Sequence, residues 1–228
     1  EPFKIKSVEP LAITTPEERK EFLEREHWNL FGLQSQEVTI DLLTDSGTGS
    51  MSSEQWAAIM RGDEAYAGSH SWQRFNQVVS DLTGYKHIIP THQGRASEKI
   101  LATIKVKEGD IIPSNSHFDT TRANFEAALA TPVDLLCEEG LDLPTPAPFK
   151  GNIDLDKLEA LLAGEDNERI PFVLMTITNN TGGGQPVSMD NLKAVKVLCE
   201  KYKKMFLLDA CRFAENAWFV SQREDSYK

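Results

Sequence analysis

The stretch MFLLDACRF, residues 205–213, decides how the rest of the chain is read. Four apolar residues, Met205 to Leu208, run directly into Asp209, and Arg212 follows three places later. An apolar run of this length suits a strand buried on both faces, as in a parallel sheet covered by helices. A carboxylate at the end of such a strand is costly to bury unless a positive group pairs with it. One reading makes Asp209 the N-cap of the next helix. The other sets it against a protonated ring nitrogen of a cofactor, with Arg212 as a second cationic contact. Pyridoxal phosphate needs that proton, because its ring must accept electrons as a carbanion forms beside it.

Upstream of this stretch the same pattern repeats. Apolar runs HIIPT (87–91), DIIPS (110–114), VDLLC (133–137) and PFVLMTI (171–177) read as strands. Between them lie helical segments: GRASEKILATIK (94–105), residues 120–130, DLDKLEALLA (154–163) and SMDNLKAVKVLCEKY (188–202). A further helix is expected over RFAENAWF (212–219), and earlier ones at 16–27, SEQWAAIM (53–60) and WQRFNQVVSDLTG (72–84), the last stopped by Gly84. VTIDLL (38–43) reads as another strand. Strands alternating with helices from Gly84 onward predict an α/β fold with a mostly parallel sheet and helices on both faces.

Bulk composition narrows the function. The 228 residues are 40% hydrophobic and 26% charged, ordinary for a folded chain, and the formal charge of −11 argues against nucleic acid or an anionic membrane as a partner. No apolar run approaches the roughly 18 residues of a membrane span, and the first ten residues lack a signal-peptide core, so a cytoplasmic location is expected. Cys137, Cys199 and Cys211 offer no disulfide framework. The five histidines show no metal-ligand spacing, and no G-x-G-x-x-G opens a helix after a strand, which excludes a dinucleotide fingerprint.

In a parallel sheet, ligands bind beyond the carboxyl ends of the strands. The segments there are TDSGTG (44–49), THQGR (91–95), NSHFDTTR (115–122), TNNTGGGQP (178–186) and DACR (209–212), and nearly every one is rich in polar and small residues. Gln93, Gly94 and Arg95 stand at a helix entry, where unpaired amides favour a phosphate; the simpler reading is a glycine that only makes the turn. The three glycines after Asn180 either shape a tight turn or let the chain pass close to a ligand held by the Asn180 amide. Phe118 either stacks on a heteroaromatic ring or fills the core, and Asp119 either caps the following helix or serves the site.

Taken together, IDLLTDSGTGSMS, MRGDEAYAGS, PTHQGRASE, FDTTR, FKGNIDLDKLE, TITNNTGGGQPVSMDNLKAV and DACRFAENAWF resemble the aromatic amino-acid β-eliminating lyases, the tryptophanases and tyrosine phenol-lyases. The resemblance runs the length of the chain. It implies an aspartate-aminotransferase-type (fold type I) architecture, pyridoxal 5'-phosphate, a monovalent cation such as potassium, and a homotetramer built as a dimer of dimers. By the same resemblance Gln93, Gly94 and Arg95 are phosphate-loop residues, Phe118 stacks on the cofactor, Asn180 meets its ring oxygen and the substrate, and Asp209 and Arg212 lie on the pyridine side. Thr44 contacts the substrate carboxylate, Tyr66 reaches a neighbouring subunit's cofactor and helps protonate the leaving group, and Gly47 and Glu64 supply cation ligands.

Asp119, where tyrosine-specific members carry threonine, favours indole as the leaving group. The implied reaction is β-elimination of L-tryptophan to indole, pyruvate and ammonia, a step of tryptophan catabolism. Tyrosine phenol-lyase or another β-eliminating lyase is the alternative. Residues 1–45 are expected to form an N-terminal arm and the start of a small domain, and 46–228 an incomplete large domain. The lysine that carries the cofactor in this family has no counterpart in these residues. The chain is therefore expected to work with a C-terminal half of the same enzyme, and alone to be inactive or a non-catalytic cofactor-binding fragment with exposed apolar faces.

Overall fold

A computed structural model describes residues 11–41, 43 and 51–227. They fall into two compact units, Glu1–Ile88 and Ile89–Lys228.

The second unit is organised around four parallel strands: β1 (Ile111–Ser114), β2 (Thr131–Asp134), β3 (Phe172–Thr176) and β4 (Met205–Asp209), in the order β2-β1-β3-β4. All five residues of β3 are buried. Its side chains alternate between two cores, as the period of a strand requires. Phe172 and Leu174 pack with Ile112, Ala102 of α4 (Gly94–Lys105) and Phe125 of α5 (Asp119–Ala127). Val173 and Met175 pack with Ile111, with Leu158 and Leu162 of α7 (Leu155–Ala163), and with Val195 and Cys199 of α8 (Met189–Lys201). The sheet is thus covered on both faces, as the alternation of strands and helices predicts.

Four strand expectations need correction. β4 is not buried on both faces: it lies at the sheet edge, where Met205 is 41% and Leu208 43% exposed. Residues 87–91 form no strand: they pair with no other strand, and Ile89 is 82% exposed. Residues 38–41 likewise find no partner strand; they leave a 3₁₀ turn, Ser35–Glu37, and Thr39 Oγ1 donates to the Ala12 carbonyl at 3.0 Å. The run expected at 133–137 pairs as Thr131–Asp134, and Leu136 makes only an isolated antiparallel bridge to Ile153.

A Pro-rich connection, LDLPTPAPFK (141–150), follows the short helix α6 (Glu138–Leu141). It is organised by one buried cation. Lys150 Nζ donates to the carbonyls of Asp142, Leu143 and Thr145, the last two at 3.2 and 2.8 Å. The last helix, α9, spans Phe213–Arg223.

The first unit holds α1 (Pro16–Arg25), α2 (Ser53–Met60) and α3 (His70–Thr83). Reciprocal side-chain and backbone bonds between Thr15 and Glu18 cap α1, and Ser52 with Gln55 does the same for α2. Gly84 ends α3 at φ +72°, a left-handed position that favours glycine. Phe75, Val78 and Leu82 of α3 are 48 to 70% exposed, as are Ile100 and Ile104 of α4 at 51 and 67%. Among the described residues no helix is long and apolar enough to cross a membrane.

Candidate active site at the carboxyl ends of the strands

The strand order contains its own switch point. From β1 the chain moves to one side, to β2; from β3 it moves to the other, to β4. A crevice opens where neighbouring strands lead away in opposite directions, here beyond β1 and β3. These two strands share one register pair, Ser114 with Leu174. Beyond it the Asn115 side chain takes over: Nδ2 donates to the carbonyls of Gly151 and Thr176 at 2.8 and 3.0 Å, and Oδ1 accepts from the Thr176 amide at 2.9 Å.

The loops leaving the strands are bonded to one another. The Thr181 hydroxyl donates to the His117 carbonyl at 2.9 Å, joining the loops after β1 and β3. The Ile177 amide donates to the Asp209 carbonyl at 2.9 Å, and the Arg212 amide to the Ile177 carbonyl at 3.0 Å, joining those after β3 and β4. Phe118, Asp119, Asn180, Asp209 and Arg212 therefore share one rim. From α4, Glu98 accepts from Thr121 Oγ1 of α5 at 2.8 Å and acts electrostatically on Asp209, which draws the helix begun by Gly94 and Arg95 to the same rim.

Asp209 is the half-buried last residue of β4. It is not a helix cap: Arg212 holds the N-cap position of α9, while Asp209 Oδ1 accepts from the Cys211 amide at 3.3 Å. Burial pushes its carboxyl up from the ordinary range, the negative charge of Glu98 adds to this, and the Cys211 bonds and Arg212 oppose it. Phe118 is half-buried and belongs to neither core; Phe125, two turns further, is the core phenylalanine. Asp119 is exposed and is the first helical residue rather than the cap, which is Phe118.

Gln93 caps α4 without a side-chain bond, and Gln93, Gly94 and Arg95 are all exposed. A Cβ added to Gly94 would meet nothing within 4 Å, and its φ lies outside the left-handed range, so its backbone places no demand for glycine there. Gly183 and Gly184 differ: their φ values of +84° and +74° require glycine to turn the chain back, and Asn179 Oδ1 closes that turn on the Gly182 amide at 2.9 Å. Asn180 is half-buried at its head.

Glu64 and Tyr66 belong to the first unit. Asp63 shapes their loop, its carboxylate accepting from the His70 and Ser71 amides at 2.8 and 2.9 Å and from Ser71 Oγ at 2.6 Å. Those bonds hold the Asp63 carboxyl at about 2. Tyr66 is fully exposed. Thr44 and Gly47 lie outside the described residues. The first unit holds a cavity of about 370 Å³ along α1 beside Leu33–Ile40, and the second unit one of about 360 Å³ at Cys137–Glu139 with Asn152–Asp156. Neither is lined by Phe118, Asp119, Asn180, Asp209 or Arg212.

Four residues at the rim escape the reading of motifs: Asn115, His117, Asp134 and Thr181. Each makes its contribution through a bond to a residue far away in sequence, and spacing carries no signal for that.

A family model described as beta-eliminating lyase matches residues 41–227. A tryptophanase from Salinibacter ruber is 56% identical over 227 residues, covering 100% of this chain and 48% of that protein. A tyrosine phenol-lyase from Pasteurella multocida is 48% identical over 228 residues, covering 100% and 50%. The chain thus spans about half the length of the curated relatives it matches. Among solved structures, cystalysin from Treponema denticola, which contains pyridoxal 5'-phosphate, superposes with a TM-score of 0.50 over 88% of this chain and 43% of that one, at 15% identity. The likeness is one of fold.

Proposed function

The chain belongs to the beta-eliminating lyase family, and on that footing we propose that it forms the amino-terminal part of a pyridoxal-phosphate-dependent lyase that splits L-tryptophan into indole, pyruvate and ammonia. One observation carries the reading. Asp209 is a half-buried carboxylate at a strand end, pushed toward its neutral form by burial and by Glu98, and so suited to a cationic ligand group. The rest of the rim fits the same molecule. The open helix entry at Gly94 and Arg95 has room and free amide direction for a phosphate, and Phe118 offers a ring outside the core.

When bound, pyridoxal phosphate supplies an electron-accepting ring for charge developed at the substrate's α-carbon. Asp209 holds the proton on the ring nitrogen, with Arg212 beside it. Gln93, Gly94 and Arg95 hold the phosphate, Phe118 keeps the ring plane, and Asn180 meets the ring oxygen. Thr44 and Asn180 orient the substrate carboxylate. Asp119 and Tyr66 manage the proton at the departing indole, and the oxygens of Gly47 and Glu64 bind a monovalent cation, potassium. A C-terminal half of the same enzyme, a tetrameric assembly, a cytoplasmic location, a role in tryptophan catabolism, and the division into an arm (1–45) and a large domain (46–228) belong to the same proposal. Asp119 is what favours tryptophan over tyrosine.

The test is to purify the complete polypeptide carrying this sequence, load it with pyridoxal phosphate, and assay tryptophan, tyrosine and S-alkyl cysteine side by side. Indole release exceeding phenol release is expected. Tyrosine cleaved as well as tryptophan overturns the substrate assignment, and failure to bind the cofactor overturns the whole reading.

A further inference from the structure

A single carboxylate grips both ends of the turn that carries Phe118 and Asp119. Asp134 is the last residue of β2. Its Oδ1 accepts from the His117 amide at 2.9 Å and from His117 Nδ1 at 2.6 Å, while Oδ2 pairs with Arg122. His117 immediately precedes Phe118; Arg122 lies one turn into α5, its amide bonded to the Phe118 carbonyl at 2.9 Å. Residues 118–121 are thus bracketed by one side chain.

The His117 end of the bracket is rigid. Its side chain is fully buried and meets the core ring of Phe125 edge-on at 5.9 Å between centroids. Nε2 has no hydrogen-bond partner, so Asp134 alone anchors the imidazole through a polar contact. The His117 carbonyl in turn receives the Thr181 hydroxyl, next to Asn180. Burial raises the Asp134 carboxyl, but the His117 bonds and the charges of His117 and Arg122 outweigh it, and the net effect is a lowered value. A charged carboxylate makes each of these bonds stronger than its neutral counterpart.

We propose that Asp134 is a positioning residue: through His117 and Arg122 it fixes Phe118 and Asp119 against the reacting groups, and so governs the departure of an aromatic leaving group. The proposal rests on the assignment of Asp119 to that leaving group. Neither Asp134 nor Arg122 is a core residue, so substitution there spares the fold: the Asp134 side chain is 38% and that of Arg122 36% exposed.

The complete polypeptide carrying Asp134→Ala or Asp134→Asn provides the test, with two readouts. Without ligand, amide exchange at residues 117–122 should quicken by about tenfold or more in Asp134→Ala while β3 is unchanged. In the holoenzyme at saturating pyridoxal phosphate, kcat for tryptophan should fall by about tenfold or more beyond any loss for S-alkyl cysteine, because a loosened Phe118 burdens both substrates alike while the sulfur leaves without a proton from Asp119. Asp134→Asn, which keeps an acceptor for the His117 amide, should fall between. Unchanged exchange overturns the proposal, as does a parallel loss on both substrates. Should the wild type cleave neither substrate, the functional reading fails, and amide exchange alone still decides whether Asp134 holds the turn.

Discussion

Asn115 completes the sheet beside Thr176 with its side chain where the backbone ladder stops: the Thr176 amide donates to Asn115 Oδ1 at 2.9 Å, and Asn115 Nδ2 donates back to the Thr176 carbonyl at 3.0 Å. The crevice between β1 and β3 exists because the strands part there, and this side chain keeps them from parting further. Asn115 is fully buried, so truncation strands an amide and two carbonyls away from water. Asn115→Ala should cost on the order of 3 kcal/mol in chemical denaturation. A loss below about 1 kcal/mol would mean water replaces the amide freely.

Asp209 links pH to stability in a known direction. Its carboxyl is raised by burial first, so the fold favours the protonated form. That contribution is fully present below the ordinary carboxylate range and is lost as pH rises through the raised value. Asp209→Asn should therefore raise the melting temperature of the ligand-free protein at neutral pH, with the gain disappearing in acid. The same variant should bind pyridoxal phosphate more weakly, since its amide cannot balance a ring cation. A variant that melts lower at neutral pH would contradict the assignment.

Phe118 and Phe125 sit seven residues apart and answer to different tests. Phe125 is fully buried between two helices and the sheet, and Phe125→Ala should cost about 3–5 kcal/mol. Phe118 is outside both cores, and Phe118→Ala should cost below about 1 kcal/mol. Its effect belongs in cofactor affinity, which should weaken by about tenfold for a lost ring contact. Equal stability losses would return Phe118 to a packing role.

Gly94 and Gly84 form a second contrasting pair. Gly94 begins α4 with open space around it, so Gly94→Ala should leave stability unchanged or raise it by up to about 1 kcal/mol. It should nonetheless weaken phosphate binding, because the methyl would stand where the ligand approaches. Gly84 adopts φ +72°, and Gly84→Ala should cost about 1–2 kcal/mol. Calorimetry on both variants, with an inorganic phosphate titration for Gly94→Ala, distinguishes the two roles.

Much of this arrangement is legible in the sequence, and the boundary has physical causes. The interior strands and amphipathic helices of the second unit announce themselves by period, and α4 begins and ends where its residues suggest. β4 is more exposed than its sequence suggests because an apolar run reports composition, while edge position depends on which strands come to lie beside it. The segments at 87–91 and 38–41 show the same limit: a strand exists only with a partner, and local pattern cannot supply one. Within the candidate site, the residues proposed to meet a ligand stand out by type. Those that hold them, Asn115, His117, Asp134 and Thr181, act across separations of 17 to 64 residues and leave no local trace.

Lys150 lends the Pro-rich connection a stiffness its composition does not suggest. An ammonium group sits among three main-chain oxygens much as an alkali ion would, but it is tethered and cannot be dialysed away. Limited trypsin digestion should consequently spare the Lys150–Gly151 bond while cutting exposed lysines nearby, and chelators or desalting should leave that resistance unaltered.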